Sequence, residues 1–151
     1  MAPIVSAVEV ECAAETAFAY ATDASRFHEW QRSVVSGRID GDPAKIGSRC
    51  VVTRRMGGRE RTATQELTAI DPPHRWSVRG IDGPVRADVD VRVEAFDGNT
   101  RSRVTISLSF SGHGIGKLIV PAFVMPGAPR EVAQSCEALK ARLDQGAPTA
   151  D

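Results

Sequence analysis

Hydrophobic and polar residues alternate along most of the chain, and this period of two predicts β-strands. The alternation is clearest in residues 85–96, where Val89, Val91 and Val93 share one face and charged residues occupy the other. Strands are also predicted for residues 4–11, 34–39, 49–56, 59–70, 74–79 and 100–110. Turn residues, mostly Gly, Asp and Pro, separate these segments. About seven antiparallel strands joined by short turns are therefore expected.

The spacing of apolar residues becomes helical between the first two strands. One face of residues 13–21 carries Ala14, Ala17, Phe18 and Ala21. A second short helix is predicted to follow at once, because the Asp23 carboxylate can accept hydrogen bonds from the free N–H groups of its first turn. Phe27 and Trp30 would make its apolar contacts. Two short helices are thus expected after the first strand.

The C-terminal part, residues 112–145, is the only long helical pattern. Its second half carries one apolar stripe at helical spacing: Val132, Cys136, Leu139 and Leu143. A helix of this kind must lay that stripe on a sheet. The first half, residues 115–124, is apolar on nearly all sides, so it should be buried or face an apolar group that is not protein. Proline and glycine in residues 125–129 predict a break between the halves.

This order of elements predicts an α+β helix-grip fold, in which a curved antiparallel sheet wraps round a long C-terminal helix. Residues 1–145 would form one domain, since 151 residues suffice for a single large core. The small polar tail, residues 146–151, should be frayed.

Composition limits the classes of partner. Lys and Arg number 19, as do Asp and Glu, so the net charge of zero argues against nucleic acid. The three cysteines are widely spaced and lack a C-x-x-C motif, which favours reduced thiols and a cytoplasmic location. No signal peptide or apolar run of membrane-spanning length is found, so stable membrane insertion is not expected. A monomer or homodimer is anticipated.

Known catalytic and cofactor motifs do not match. His28, His74 and His113 are scattered, without the spacing of a zinc site. The glycine-rich residues 112–117 follow a strand, but they lack the Walker pattern and the parallel βαβ context of dinucleotide sites. We therefore expect neither a metal nor another cofactor, and we interpret residues 112–117 as a hinge.

Several segments resemble one known family over nearly the whole chain. They are TAFAYA at residues 16–21, DASRFHEW at 23–30, IGSR at 46–49, ELTAIDPPHRW at 66–76, GNTR at 98–101 and LKARL at 139–143. In this order they resemble the START-like (SRPBCC, Bet v 1-like) superfamily, in particular its polyketide cyclase/dehydrase-like branch. The resemblance implies a deep apolar cavity between the sheet and the C-terminal helix, without a metal or nucleotide cofactor.

The predicted inner faces supply the candidate cavity lining. It comprises Phe27, Trp30, Val52, Met56, Gln65, Leu67, Trp76, Val89, Val91, Ile106, Leu108, Phe110, Leu118, Phe123 and Cys136. Ala63, Ala69 and Ala87 are small residues that would leave space if they face inward. A solidly packed core is the alternative, because protein interiors are usually dense.

Three polar residues are candidates for orienting or activating a ligand. Strand parity places Gln65 inside, where its amide needs a partner. The direction of Arg54 is unresolved, and if it points inward it could bind a carbonyl or carboxylate. Tyr20 is expected to lie off the apolar face of its helix, near the cavity mouth, where its phenol could donate a hydrogen bond.

The leading hypothesis is binding of a hydrophobic or amphipathic small molecule, such as a lipid, polyketide or isoprenoid, with residues 112–127 as a gate. The alternative is a cyclase or dehydrase acting on a poly-keto substrate, with Tyr20, Arg54 or Gln65 polarising a carbonyl. A third hypothesis is that residues 115–123 dock on a protein partner. Whether the chain is an enzyme stays open at this point.

Overall fold

Seven antiparallel strands form one sheet, in the order β1-β7-β6-β5-β4-β3-β2. The computed structural model describes residues 3–146, except for the side chains of residues 122 and 123. The strands are β1 (Ile4–Val10), β2 (Val34–Asp40), β3 (Arg49–Met56), β4 (Arg59–Asp71), β5 (Arg75–Gly80), β6 (Val85–Phe96) and β7 (Arg101–Gly112). Each strand from β2 to β6 pairs with the next along the chain, and β1 pairs with β7. The predicted meander is therefore confirmed.

Two short helices connect β1 to β2, as the sequence predicts. They are α1 (Ala14–Ala21) and a 3-10 helix (Ala24–Glu29). The Asp23 carboxylate accepts a hydrogen bond from the Ser25 N–H at 3.1 Å, which confirms Asp23 as the cap of the second helix. Phe18 of α1 and Phe27 of the 3-10 helix are buried in the main core.

The C-terminal helical region is divided where proline and glycine predict the break. It comprises α2 (Gly116–Ile119), a π-helical turn (Val120–Val124) and α3 (Ala128–Asp144). The predicted stripe of α3 is buried: Val132, Cys136, Leu139 and Leu143. Lys140 donates to the Glu9 carbonyl at 2.7 Å, and Asp144 accepts from the Glu11 N–H at 2.8 Å. These two contacts fasten the C-terminal half of α3 to β1.

A β-bulge in β4 corrects one predicted inward position. The register of β4 against β5 shifts between Leu67 and Ala69, so that Ala69 pairs with Ser77 while Ile70 pairs with Trp76. Because one extra residue reverses the alternation of faces, Ile70 joins the core with Trp76 and Ala69 turns outward. The expectation that Ala69 leaves space inside the sheet is therefore wrong.

Candidate functional site

Part of the inner face of the sheet is filled by a closely packed core. Phe27 meets both tryptophans edge to face, with ring centroids 5.8 Å from Trp30 and 6.3 Å from Trp76. Eight residues expected to line a cavity are fully buried in this core: Phe27, Trp30, Val52, Leu67, Trp76, Val91, Ile106 and Cys136. Large side chains in mutual contact leave little space between them. This part of the interior is therefore core.

The inner face is only partly covered at the end where β6 begins and β7 finishes. Val89, Leu108 and Phe110 occupy inner positions there and are half-buried, as is Ala87. The α2 helix and the π-helical turn contact β7 at this end. A solid core would bury these apolar side chains completely. The candidate site is therefore this end of the inner face, between the sheet and the helices that close it.

Two of the expected lining residues are exposed to solvent. Met56 is 46% exposed beside the Gly57–Gly58 turn, beyond the part of the sheet that helices cover. Leu118 is 73% exposed, because Gly116 packs against Pro84 and residues two positions apart in a helix point to nearly opposite sides. The predicted contact of Phe123 falls on a side chain outside the described residues.

The apolar first half of the C-terminal region is only partly buried. Val120 is fully buried and Val124 nearly so, but Ile115 is 68% exposed. Of the two expectations for residues 115–124, burial within the protein is therefore wrong for Ile115.

Gln65 lies on the inner face, as its parity predicts, and is half-buried. Its Nε2 donates to the backbone carbonyl of Ala87 at 2.7 Å. Gly80, the partner of Gln65 on β5, has no side chain to obstruct this bond, and a Cβ there would lie 2.9 Å from the Ala87 nitrogen. The Gln65 amide therefore bridges β4 to β6 across the end of β5, beside the half-buried inner positions.

Arg54 also points inward, on the same face of β3 as Cys50 and Val52, which resolves the parity that the sequence left open. Its guanidinium donates to the Ser33 hydroxyl at 3.0 Å and to the Gln31 side-chain oxygen at 2.8 Å. Burial lowers the pKa of the Arg54 guanidinium, while the nearby Glu131 carboxylate acts to raise it. No carboxylate of residues 3–146 lies within the 4.0 Å of an ion pair with Arg54. This partly buried cation is thus held by neutral acceptors.

Trp30 carries a buried donor without an acceptor. The residue is only 5% exposed, and its indole N–H finds no hydrogen-bond partner among residues 3–146. A buried N–H left unpaired costs about 1–3 kcal/mol relative to one that is hydrogen-bonded. An acceptor supplied by a bound molecule would remove that cost.

Tyr20 differs from its expected position, since it is buried in the core at 4% exposure. Its hydroxyl donates to Glu29 of the 3-10 helix at 2.9 Å. Burial, together with the Glu29 carboxylate, raises the pKa of Tyr20 to about 12. Tyr20 therefore ties α1 to the 3-10 helix.

The sequence did not reveal the groups around Arg54. Gln31 and Ser33 lie in the connection to β2, whereas Glu131 is in the first turn of α3. Their polarity was visible, but only the fold brings two distant segments to the end of β3. Gln31 and Ser33 follow Trp30 in the sequence, and Glu131 lies near the start of the predicted C-terminal helix. These positions were the signal that could have pointed to them.

Other classes of site find little support in residues 3–146. No group of three or more His, Cys, Asp or Glu side chains is arranged to hold a metal ion there. The helices in that part of the chain are all too short or too polar to cross a membrane. The three cysteines are free thiols, and burial raises the pKa of Cys50 to about 11.

Comparison with known proteins agrees with this architecture. Residues 1–144 match the family described as polyketide cyclase/dehydrase and lipid transport. The chain belongs to this family. No curated protein matches the chain.

Solved structures show the same helix-grip fold. A Thermus thermophilus protein has a TM-score of 0.76 at 15% identity, covering 97% of this chain and 99% of its own. An aromatase/cyclase from a Streptomyces species has a TM-score of 0.75 at 13% identity, covering 98% and 96%. A START superfamily protein of Mycobacterium smegmatis has a TM-score of 0.71 at 12% identity, covering 96% and 99%. The predicted START-like, Bet v 1-like fold is confirmed by these matches.

Proposed function

We propose that this protein binds a hydrophobic or amphipathic small molecule between the sheet and the helices at its C-terminal end. The observation that carries the proposal is the incomplete burial of Val89, Leu108 and Phe110 on the inner face. An apolar ligand would cover these side chains and gain about 0.8 kcal/mol for each methylene group it buries. Lipid, polyketide and isoprenoid chains all have this character.

Polar groups in the interior would orient the ligand. The unpaired N–H of Trp30 can donate to a carbonyl or hydroxyl oxygen, and Gln65 lies at the edge of the half-buried positions. A few polar groups in a mostly apolar site fix the orientation of a ligand, while apolar contact supplies most of the affinity. This division of roles fits a carrier or receptor for a small molecule.

Catalysis of the cyclase or dehydrase type is the alternative, and the family description includes it. The three candidates for that chemistry engage different partners: Tyr20 with Glu29, Arg54 with Gln31 and Ser33, and Gln65 with the Ala87 carbonyl. A catalytic centre would require an acid or base to converge with a donor that stabilises the developing oxyanion. Binding is therefore the better-supported proposal, and turnover of a poly-keto mimic would favour catalysis instead.

A series of straight-chain alcohols tests the binding proposal, with tryptophan fluorescence and calorimetry as readouts. The dissociation constant should fall about fourfold for each added methylene, until the chain fills the site. Ala87→Phe would occupy the half-buried inner face and should abolish this dependence. Ala133→Phe places the same side chain on the exposed side of α3 and serves as the control.

Two results decide the outcome: whether alcohol binding to the wild-type protein saturates, and whether the two variants differ in binding. If no alcohol binds saturably to the wild-type protein, the proposal is wrong. It is also wrong if Ala87→Phe, folded as judged by circular dichroism, binds as the wild-type protein does. Light scattering on the same samples would test the proposed monomeric or homodimeric state.

A further inference from the structure

A polar depression of about 500 Å³ opens beside the start of α3, between β3 and the segment that follows the 3-10 helix. Its lining includes Arg32, Arg55, Arg130, Ser33 and Glu131. Three cations thus surround one carboxylate, although the chain as a whole has equal numbers of acidic and basic residues. The depression is a local concentration of positive charge.

Two of these arginines have no partner in the described part of the chain. Arg55 forms an exposed ion pair with Glu60 at 3.2 Å. Neither the Arg32 nor the Arg130 side chain makes a hydrogen bond or ion pair with any of residues 3–146. Their guanidinium groups are exposed and available to a ligand.

Arg54 lies directly behind the depression and connects it to the interior. Its hydrogen-bond acceptor Ser33 lines the depression, and so does Glu131, whose carboxylate acts to raise the pKa of Arg54. Arg54 shares the inner face of β3 with Val52. An anion in the depression would therefore lie close to Arg54, on the side of β3 that faces the apolar interior.

Guanidinium groups bind carboxylates and phosphates through paired hydrogen bonds, more strongly than neutral donors do. Arg54 is withdrawn from water without an acidic partner, and burial lowers its pKa for that reason. The depression also meets the N-terminal end of α3, where Gly127 provides no side-chain cap and the helix dipole favours negative charge. Each of these features would be stabilised by an anion.

We infer that the depression binds the anionic end of the ligand, a carboxylate or a phosphate, whose apolar chain lies on the inner face of the sheet. The inference rests on the proposed function and narrows it to an amphipathic acid. Arg32 and Arg130 bind the anion at the mouth, and Arg54 binds it from the inner side.

Decanoate and decanol test the inference, since they have chains of equal length and differ only in the polar end. Wild-type protein should bind decanoate more tightly than decanol. Arg32→Gln combined with Arg130→Gln should weaken decanoate binding about tenfold while leaving decanol binding unchanged. Arg49→Gln, an exposed arginine at the other end of β3 without a partner in residues 3–146, should affect neither ligand.

The outcomes separate the two proposals. If neither ligand binds to wild-type protein, the proposed function fails, and this inference fails with it. If decanol binds but decanoate binds no better, or the double variant binds decanoate as the wild-type protein does, only the inference is overturned. Inorganic phosphate binding as tightly as decanoate would show a free-anion site and would also overturn it.

Discussion

Gly116 allows α2 to approach the turn between β5 and β6 very closely, and replacing it by alanine would disturb that contact. An added Cβ would lie 1.7 Å from the Pro84 carbonyl oxygen, whereas ordinary contacts begin at 3.4 Å, so the groups must separate by about 1.7 Å. The obstacle is backbone, so a rotamer change cannot relieve the overlap. The whole turn or the whole helix would have to move.

The expected loss of stability has two parts. Forcing an extra group into a filled contact typically costs about 1–3 kcal/mol. Moving Pro84 also weakens the 2.8 Å hydrogen bond from the His113 N–H to the same carbonyl oxygen, which contributes about 0.5–1.5 kcal/mol. Gly116→Ala should therefore lower the free energy of unfolding by about 2–4 kcal/mol. For a chain of this size, that lowers Tm by roughly 5–15 °C.

Thermal and urea denaturation followed by circular dichroism would measure the effect. Gly127→Ala is the matched control, because its backbone is in the right-handed helical region and no heavy atom lies within 4 Å of the added Cβ. The control should change the free energy of unfolding by less than about 1 kcal/mol. If the Gly116 and Gly127 variants have the same Tm, the close approach of α2 to Pro84 does not contribute to the stability of the fold.

Two further predictions concern the core. Leu139→Ala should destabilise the protein by about 2–5 kcal/mol in urea denaturation, because Leu139 is 0% exposed. Leu118→Ala, at a side chain 73% exposed, should change stability by less than about 0.5 kcal/mol, and equal losses would contradict the burial of α3. Tyr20 is the single tyrosine, so ultraviolet titration reports it alone. Its pKa is raised from 10.0 to about 12, so its stabilisation is complete below pH 10 and is lost as the pH rises to about 12. Titration of the native protein near pH 10 would refute the contact with Glu29.

The arrangement of secondary structure could be predicted because it depends on local spacing. A period of two marked the strands, Asp23 marked the start of the 3-10 helix, and prolines and glycine marked the break before α3. These signals involve neighbouring residues and preferences of the backbone, so they are visible without a fold. The apolar stripe of α3 likewise showed which side would be buried.

The bulge in β4 shows where parity fails. Alternation assigned Gln65 correctly to the inner face, but it placed Ala69 there as well. The register shift between these residues is decided by how β4 pairs with β5. One extra residue in β4 therefore reversed an alternation of inward and outward positions that was correct a few residues earlier.

By itself, the sequence determined the strands, the helices, their apolar faces and the fold family. Only the tertiary structure decided which inner positions were left half-buried and which polar groups met. Arg54 illustrates the difference, because its hydrogen-bond partners come from the segment after the 3-10 helix and the carboxylate that acts on its charge, Glu131, comes from α3. Local periodicity carries no information about contacts between such distant segments. The depression beside α3 arises from those contacts.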